Sequence, residues 1–291
     1  MRRHLLILPL VTLLLGVCAC VSSTNLAVSP PAPIARPPTP KGWLLIVGGG
    51  GTTDDMYKRA ITLGGGADSK VVIFPQASEL PDTGESSATV WRSNGAGEVR
   101  VADTKKSAAA LELVGWASII WFPGGVQSRL MDALGDELCA AIKKRFYDGA
   151  LVGGTSAGAA VMSGVMITGE VEGESGDDGG LTFVRAQTVE TKRGLDLIDW
   201  AIVDQHFLRR RRFNRLLSCV LDNHERIGIG IDERTSILVH GRGFEVIGES
   251  NVLVIDAREA HDTESKKGLR PRARGMRMCL LAHGMMFDAD D

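Results

Sequence analysis

Residues 150–160, Ala-Leu-Val-Gly-Gly-Thr-Ser-Ala-Gly-Ala-Ala, place Ser156 in a Gly-x-Ser-x-Gly pattern between an apolar strand and a helix. This predicts a nucleophile elbow. The flanking glycines permit a tight strand-to-helix turn that bulkier side chains would obstruct, and the hydroxyl is lifted clear of the sheet toward a substrate. The N–H of Ala157, at the helix start, then points to where an oxyanion would form in acyl transfer. The pattern is short and an ordinary glycine-rich turn has the same look, so the partners of the serine decide its meaning.

Two further stretches supply partners. Asp204-Gln205-His206-Phe207 closes an apolar strand and runs into Leu208, four consecutive arginines at 209–212, and Arg215. A basic run is ordinarily a solvated face and a single His ordinarily structural. Placement favours function here, since strand ends of open α/β sheets are where ligand-binding residues collect, and guanidinium groups suit substrate carboxylates. Residues 228–233, Gly-Ile-Gly-Ile-Asp-Glu, end another apolar strand in two acids. Taken in order, Ser156, His206 and Glu233 provide nucleophile, base and carboxylate, each just past a predicted strand, as a catalytic triad requires.

The elements that must position these groups follow from the hydrophobic pattern. Continuous apolar runs at 43–47, 71–74 and 118–122 read as buried parallel strands, with helices expected over 107–115 and about 128–148. Strands alternating with helices imply a doubly wound, mostly parallel three-layer α/β sheet. The four glycines at 48–51 lack a following Gly-Lys-Ser/Thr and do not complete Gly-x-Gly-x-x-Gly, which argues against nucleotide binding. The acidic, glycine-rich segment 170–180 lacks EF-hand spacing and reads as a surface loop. Residues 244–281 read as a β-rich closing segment, in which 263–274 is expected to be a polar loop.

Composition is ordinary for a globular protein: 291 residues, 44% hydrophobic and 23% charged. The beginning of the chain departs from it. Arg2 and Arg3 precede an apolar run from 5 to 17 and then Cys18-Ala19-Cys20, the pattern of an export signal with a small-residue cleavage site. It is similar to a bacterial lipobox with Cys20 as the lipidated residue. Residues 1–19 are thus expected to be a lipoprotein-type signal peptide, 20–40 a Pro/Ser/Thr-rich tether, and 41–291 the folded domain, placed in the periplasm or outside the cell and anchored to a membrane. Losing 1–19 moves the formal charge from −2 to −4, which argues against nucleic acid as a partner. Cys139, Cys219 and Cys279 are an odd number in apolar surroundings, so buried free thiols are expected rather than a disulfide framework. No His/Cys/Asp cluster has metal-ligand spacing, and neither metal nor organic cofactor is expected. Nothing fixes the oligomeric state; a homodimer is allowed.

The combination of Gly124-Gly125-Val126-Gln127, Gly154-Thr155-Ser156-Ala157-Gly158, Asp204-Gln205-His206-Phe207 with Arg210, Arg212 and Arg215, and Gly230-Ile231-Asp232-Glu233, in that order, resembles the cyanophycinase branch of the S51 serine peptidases over nearly all of 43–288. The resemblance implies a class I glutamine amidotransferase-like, flavodoxin-like fold and a triad of Ser156, His206 and Glu233. It further implies an oxyanion hole from the N–H groups of Gly125 and Ala157, and a substrate pocket of Gln127, Asp204, Gln205, Arg210, Arg212 and Arg215. Cyanophycin is a poly-aspartate backbone with arginine on each side-chain carboxyl, and such enzymes release β-Asp-Arg dipeptides from it. Asp204 would then meet a substrate guanidinium and the arginines its carboxylates. Val126 stands where the family usually has Asp, and the acidic 170–180 segment looks longer than usual. The competing expectations are an aspartyl dipeptidase or another β-aspartyl peptidase of the same superfamily and, from a different class, a lipoprotein that binds the polymer without cleaving it.

Overall fold

A computed structural model describes residues 39–171, 181–267 and 269–291, which belong to one compact unit, 39–291. The signal segment, Cys20, nearly all of the tether and the acidic stretch 172–180 lie outside the described residues.

The first half of this unit alternates strand and helix: β1 (Leu44–Val47), α1 (Asp54–Leu63), β2 (Lys70–Ile73), α2 (Thr83–Ser93), β3 (Glu98–Val101), α3 (Ser107–Trp116), β4 (Ile119–Phe122), α4 (Gln127–Tyr147), β5 (Leu151–Thr155) and the short α5 (Ala157–Ala160). A hairpin of β6 (Val165–Val171) and β7 (Val189–Arg193) follows, then β8 (Ala201–Gln205), α6 (Phe213–Asp222) and β9 (Ile227–Ile231). The closing segment is all strand: β10 (Thr235–His240), β11 (Gly243–Gly248), β12 (Val252–Asp256), β13 (His261–Glu264), β14 (Arg272–Arg274), β15 (Arg277–Leu281) and β16 (Met286–Asp288).

Among the described residues the main sheet runs β3-β2-β4-β5-β1 in parallel, and β10, β11 and β16 extend it antiparallel from β1. Strand alternation explains why the runs are apolar throughout, because successive side chains serve opposite faces and both are covered. Leu45, Val47, Val71, Ile73, Ile119 and Trp121 pack on α1 and α2. Leu44, Ile46, Val72, Ile120, Phe122 and Val152 face the other way, onto α3, α4 and the strands β8, β9 and β12. Each such burial contributes about 1.5–3 kcal/mol before the entropy of ordering the chain is set against it.

Three expectations need correction. The strands leading to His206 and Asp232-Glu233 are not members of the parallel sheet; β8 and β9 pair in parallel within a second, four-stranded sheet ordered β15-β12-β9-β8, whose outer face is covered by Phe207 of the turn after β8 and by Leu216 and Val220 of α6. The stretch expected to be a polar loop, 263–274, is strand at its two ends, which pair as the antiparallel hairpin of β13 and β14, while the described residues between 264 and 272 are in neither strand. Of the three free cysteines only Cys219 is buried, which pushes its thiol up to about 12, whereas Cys139 is half-buried and Cys279 exposed.

Candidate active site

Three successive carbonyls at the end of β1 hold the three segments of the site. The Val47 carbonyl accepts from the Ser156 N–H at 3.0 Å, that of Gly48 from the His206 N–H at 2.7 Å, and that of Gly49 from the Arg234 N–H at 2.8 Å. One strand end therefore brings together residues from β5 and from β8 and β9 of the second sheet, which are far apart in sequence. The four-glycine stretch, unassigned by its motif, is what makes this approach possible. Gly49 adopts φ +99°, a conformation that disfavours side chains, and a Cβ there would collide with the His206 ring; one at Gly50 would collide with the Glu233 side chain.

Ser156 Oγ lies 2.9 Å from His206 Nε2, and His206 Nδ1 lies 2.7 Å from Glu233 Oε1. The carboxylate accepts from Nδ1–H, which leaves Nε2 unprotonated and able to accept from the serine hydroxyl. Ser156 has φ +54° and His206 φ +51°, unusual for side-chain-bearing residues. Such conformations persist where the surroundings impose them, and they gather where a side chain must be presented outward. His206 is buried, and that burial holds its imidazole below the ordinary value; Glu233 opposes the shift, while Arg210 and Arg212 reinforce it.

Beside the serine, the N–H groups of Ala157 and Gly125 donate to no protein acceptor among the described residues. The first is free because it opens α5, where no acceptor lies a turn earlier. The second sits in a loop pinned by the bond from Val126 N–H to Ala77 O at 2.9 Å. At Gly125, with φ +146°, an added Cβ would collide with the Ala77 carbonyl, so only glycine fits this approach.

The amino-acid pattern of residues 44–247 matches the model of peptidase family S51. The chain belongs to peptidase family S51. It is similar to the cyanophycinase of Geminocystis herdmanii, 36% identical over 236 residues that cover 77% of this chain and 84% of that protein, and to that of Trichormus variabilis, 33% identical over 238 residues that cover 77% and 76%. Among solved structures, a peptidase from an acI-B1 actinobacterium superposes with a TM-score of 0.57 at 22% identity, covering 85% of this chain and 96% of that one. A putative peptidase E protein from Listeria monocytogenes gives 0.52 at 17% identity, covering 72% and 99%. At those identities the two structures speak for the shared fold. The chain is a serine-type S51 peptidase, similar to cyanophycinases.

Within this S51 peptidase the residues expected to line the substrate pocket divide into two groups. Asp204 and Arg215 are 1% and 2% exposed and face each other: Arg215 Nε donates to Asp204 Oδ2 at 3.0 Å and its Nη2 to Oδ1. Arg212, also buried, donates through Nη1 to both the backbone oxygen and Oε1 of Gln205, each at 2.7 Å. These four groups are thus hydrogen-bonded to one another inside the fold, as buried polar groups generally are. Gln127 is buried as well, and its amide donates to the carbonyls of Ile167 and Thr168, tying α4 to β6. Arg210 remains exposed, near enough to His206 to lower its proton affinity.

Asp232 stands directly before Glu233 in the chain. Its carboxylate faces away from the imidazole and accepts from backbone N–H groups of the turn after His206. Both acids follow the last residue of β9, Ile231, and their different partners separate the two roles: Glu233 takes the imidazole and Asp232 the turn.

Proposed function

We propose that the chain is an exported serine exopeptidase that hydrolyses cyanophycin to β-Asp-Arg dipeptides. The observation that carries this reading is the unbroken hydrogen-bond relay from Ser156 through His206 to Glu233 in a chain whose relatives are cyanophycinases. Ser156 Oγ attacks the backbone carbonyl carbon while His206 Nε2 takes its proton. The oxyanion is received by the N–H groups of Gly125 and Ala157, and Glu233 stabilises the imidazolium. Collapse passes the proton to the leaving amine and gives an acyl-enzyme, which water then hydrolyses by the same steps in reverse order. Exposed Arg210 is the group left to meet a substrate carboxylate. In this reading Cys20 carries lipid and 21–40 hold the domain off a membrane, which brings the enzyme to polymer outside the cytoplasm.

The pH dependence has a fixed sign. His206 must be neutral to act as base, and its proton affinity in the fold is lowered by burial, so the acid limb of kcat/KM is expected at a midpoint below about 6.5, the ordinary histidine value. Arg210→Ala removes one of the cations that disfavour protonation and should move that limb upward. A kcat/KM profile for both proteins from pH 4 to 8 checks this; a parental midpoint above 7 contradicts it. The same shift acts on stability, because the unfolded chain takes up the proton first and the fold loses stability as the pH falls from about 6.5 toward the folded value.

Burial of Asp204, Gln205, Arg212 and Arg215 removes several charges from the surface that would distinguish a polymer from a small peptide, which favours testing the aspartyl dipeptidase reading beside the first. The comparison is kcat/KM on cyanophycin against α-Asp-X dipeptides. A higher value on the polymer supports cyanophycin as substrate, and a higher value on the dipeptides replaces it.

A further inference from the structure

We infer that Asp232 is a positioning residue for His206, its carboxylate clamping the turn that carries the histidine; this rests on the proposed catalytic roles of Ser156 and His206. The clamp has three arms. Oδ1 accepts from the N–H groups of Leu208 at 3.0 Å and Arg209 at 2.9 Å, and Oδ2 accepts from Ser250 Oγ at 2.7 Å. Ser250 is itself fixed, since its N–H donates to Thr235 Oγ1 at 2.8 Å. The turn from His206 to Arg212 is thereby fastened to the β11–β12 connection on a neighbouring part of the fold.

The turn needs such a fastening. His206 and Arg211 both hold positive φ, at +51° and +50°, a strained conformation that relaxes unless the surroundings resist. Close to His206 the resistance comes from its own N–H on Gly48 O and from Phe207 N–H on Ile231 O at 3.2 Å. Phe207 lies across β9 at Gly230, where a Cβ would overlap its ring. Beyond Phe207 residues 208–211 are exposed; the bonds from Arg210 N–H to His206 O at 2.9 Å, Arg211 N–H to Leu208 O at 3.1 Å and Arg212 N–H to Phe207 O at 2.9 Å close the turn on itself, and the N–H groups of 208 and 209 are met from outside it by Asp232. A carboxylate accepting several N–H bonds is a stronger anchor than neutral acceptors, because each bond is charge-assisted. Released, the turn would let the imidazole swing off Ser156 Oγ and carry Arg210 with it. A displacement of about 1 Å in a reacting group can cost about a hundredfold in rate.

The experiment uses the full-length protein as parent, Asp232→Ala, Asp232→Asn and Ser156→Ala, with a serine-directed fluorophosphonate to read activation of the hydroxyl without any substrate. Asp232→Ala is expected to slow both labelling and kcat by about tenfold to a hundredfold at a temperature where circular dichroism shows it folded. Asp232→Asn should recover to within about threefold, because the amide oxygen still accepts both N–H groups and the Ser250 hydroxyl can turn to accept from the amide nitrogen. Labelling of Asp232→Ala at the parent rate, with only a lowered melting temperature, would overturn the inference. If that variant does not fold, amide hydrogen exchange on the parent decides: Leu208 and Arg209 protected well beyond the neighbouring exposed amides supports the clamp, and exchange at unstructured rates overturns it. Retained activity in Ser156→Ala would sink the nucleophile assignment itself, a failure distinct from that of the clamp.

Discussion

Replacing Ser156 by Ala is expected to lower kcat by about 10⁶, the loss seen when the nucleophile of a comparable triad is removed. The size follows from the division of labour in the proposed mechanism. Without the hydroxyl no acyl-enzyme forms, and what remains is water attacking a carbonyl polarised by the N–H groups of Gly125 and Ala157, together with whatever binding orients the substrate. Stability should hardly change, because Ser156 is half-exposed and its Oγ has no partner but the imidazole among the described residues. Steady-state rates on purified protein, with thermal melting alongside, separate the two. Activity above about a thousandth of the parent would mean that another group is the nucleophile.

Arg215→Ala should show the opposite division, a large loss of stability with no direct role for the side chain in binding. Asp204 is 1% exposed and takes both ends of the Arg215 guanidinium, besides accepting from the Gln205 N–H at 2.8 Å. Deleting the guanidinium leaves the buried carboxylate without its two direct donors and with the more distant Arg212 Nη1, 3.9 Å from Oδ1, as counter-charge, and breaking a buried pair costs about 3–5 kcal/mol. Lysine would not repair it, because a single ammonium cannot reproduce the two parallel donors. Urea unfolding is the measurement, with Arg210→Ala as reference; that exposed position should stay within about 0.5 kcal/mol of the parent. A stable Arg215→Ala with KM raised tenfold would return the residue to the substrate pocket.

These two residues mark where sequence reading succeeds and where it stops. The site strands were legible because β1, β4, β5, β8 and β9 are apolar on both faces, a pattern few other elements share, and Ser156, His206 and Glu233 each follow such a run. Which sheet a strand joins leaves no mark on its own residues, so the separation of β8 and β9 into a second sheet was invisible. The partners of the buried arginines were illegible for a related reason: an Arg eleven residues after an Asp carries no sign of whether it faces water or that Asp. Helix α1 went unread because its buried positions, Met56, Tyr57, Ala60 and Ile61, are interleaved with charge, and β3 because Glu-Val-Arg-Val is an exposed edge. Asp232 has only its place beside Glu233 as a signal, because beyond the end of β9 at Ile231 no strand period assigns the two side chains their directions.

The most direct test of the account is the identity of what is released from the polymer. Full-length protein is incubated with insoluble cyanophycin and the soluble fraction is analysed by mass spectrometry, with Ser156→Ala in parallel and fluorophosphonate labelling to show that the parent serine is reactive. The account predicts β-Asp-Arg dipeptide from the parent and none from the variant. A parent protein whose serine is labelled but which leaves the polymer insoluble, while cleaving α-Asp dipeptides, would contradict it.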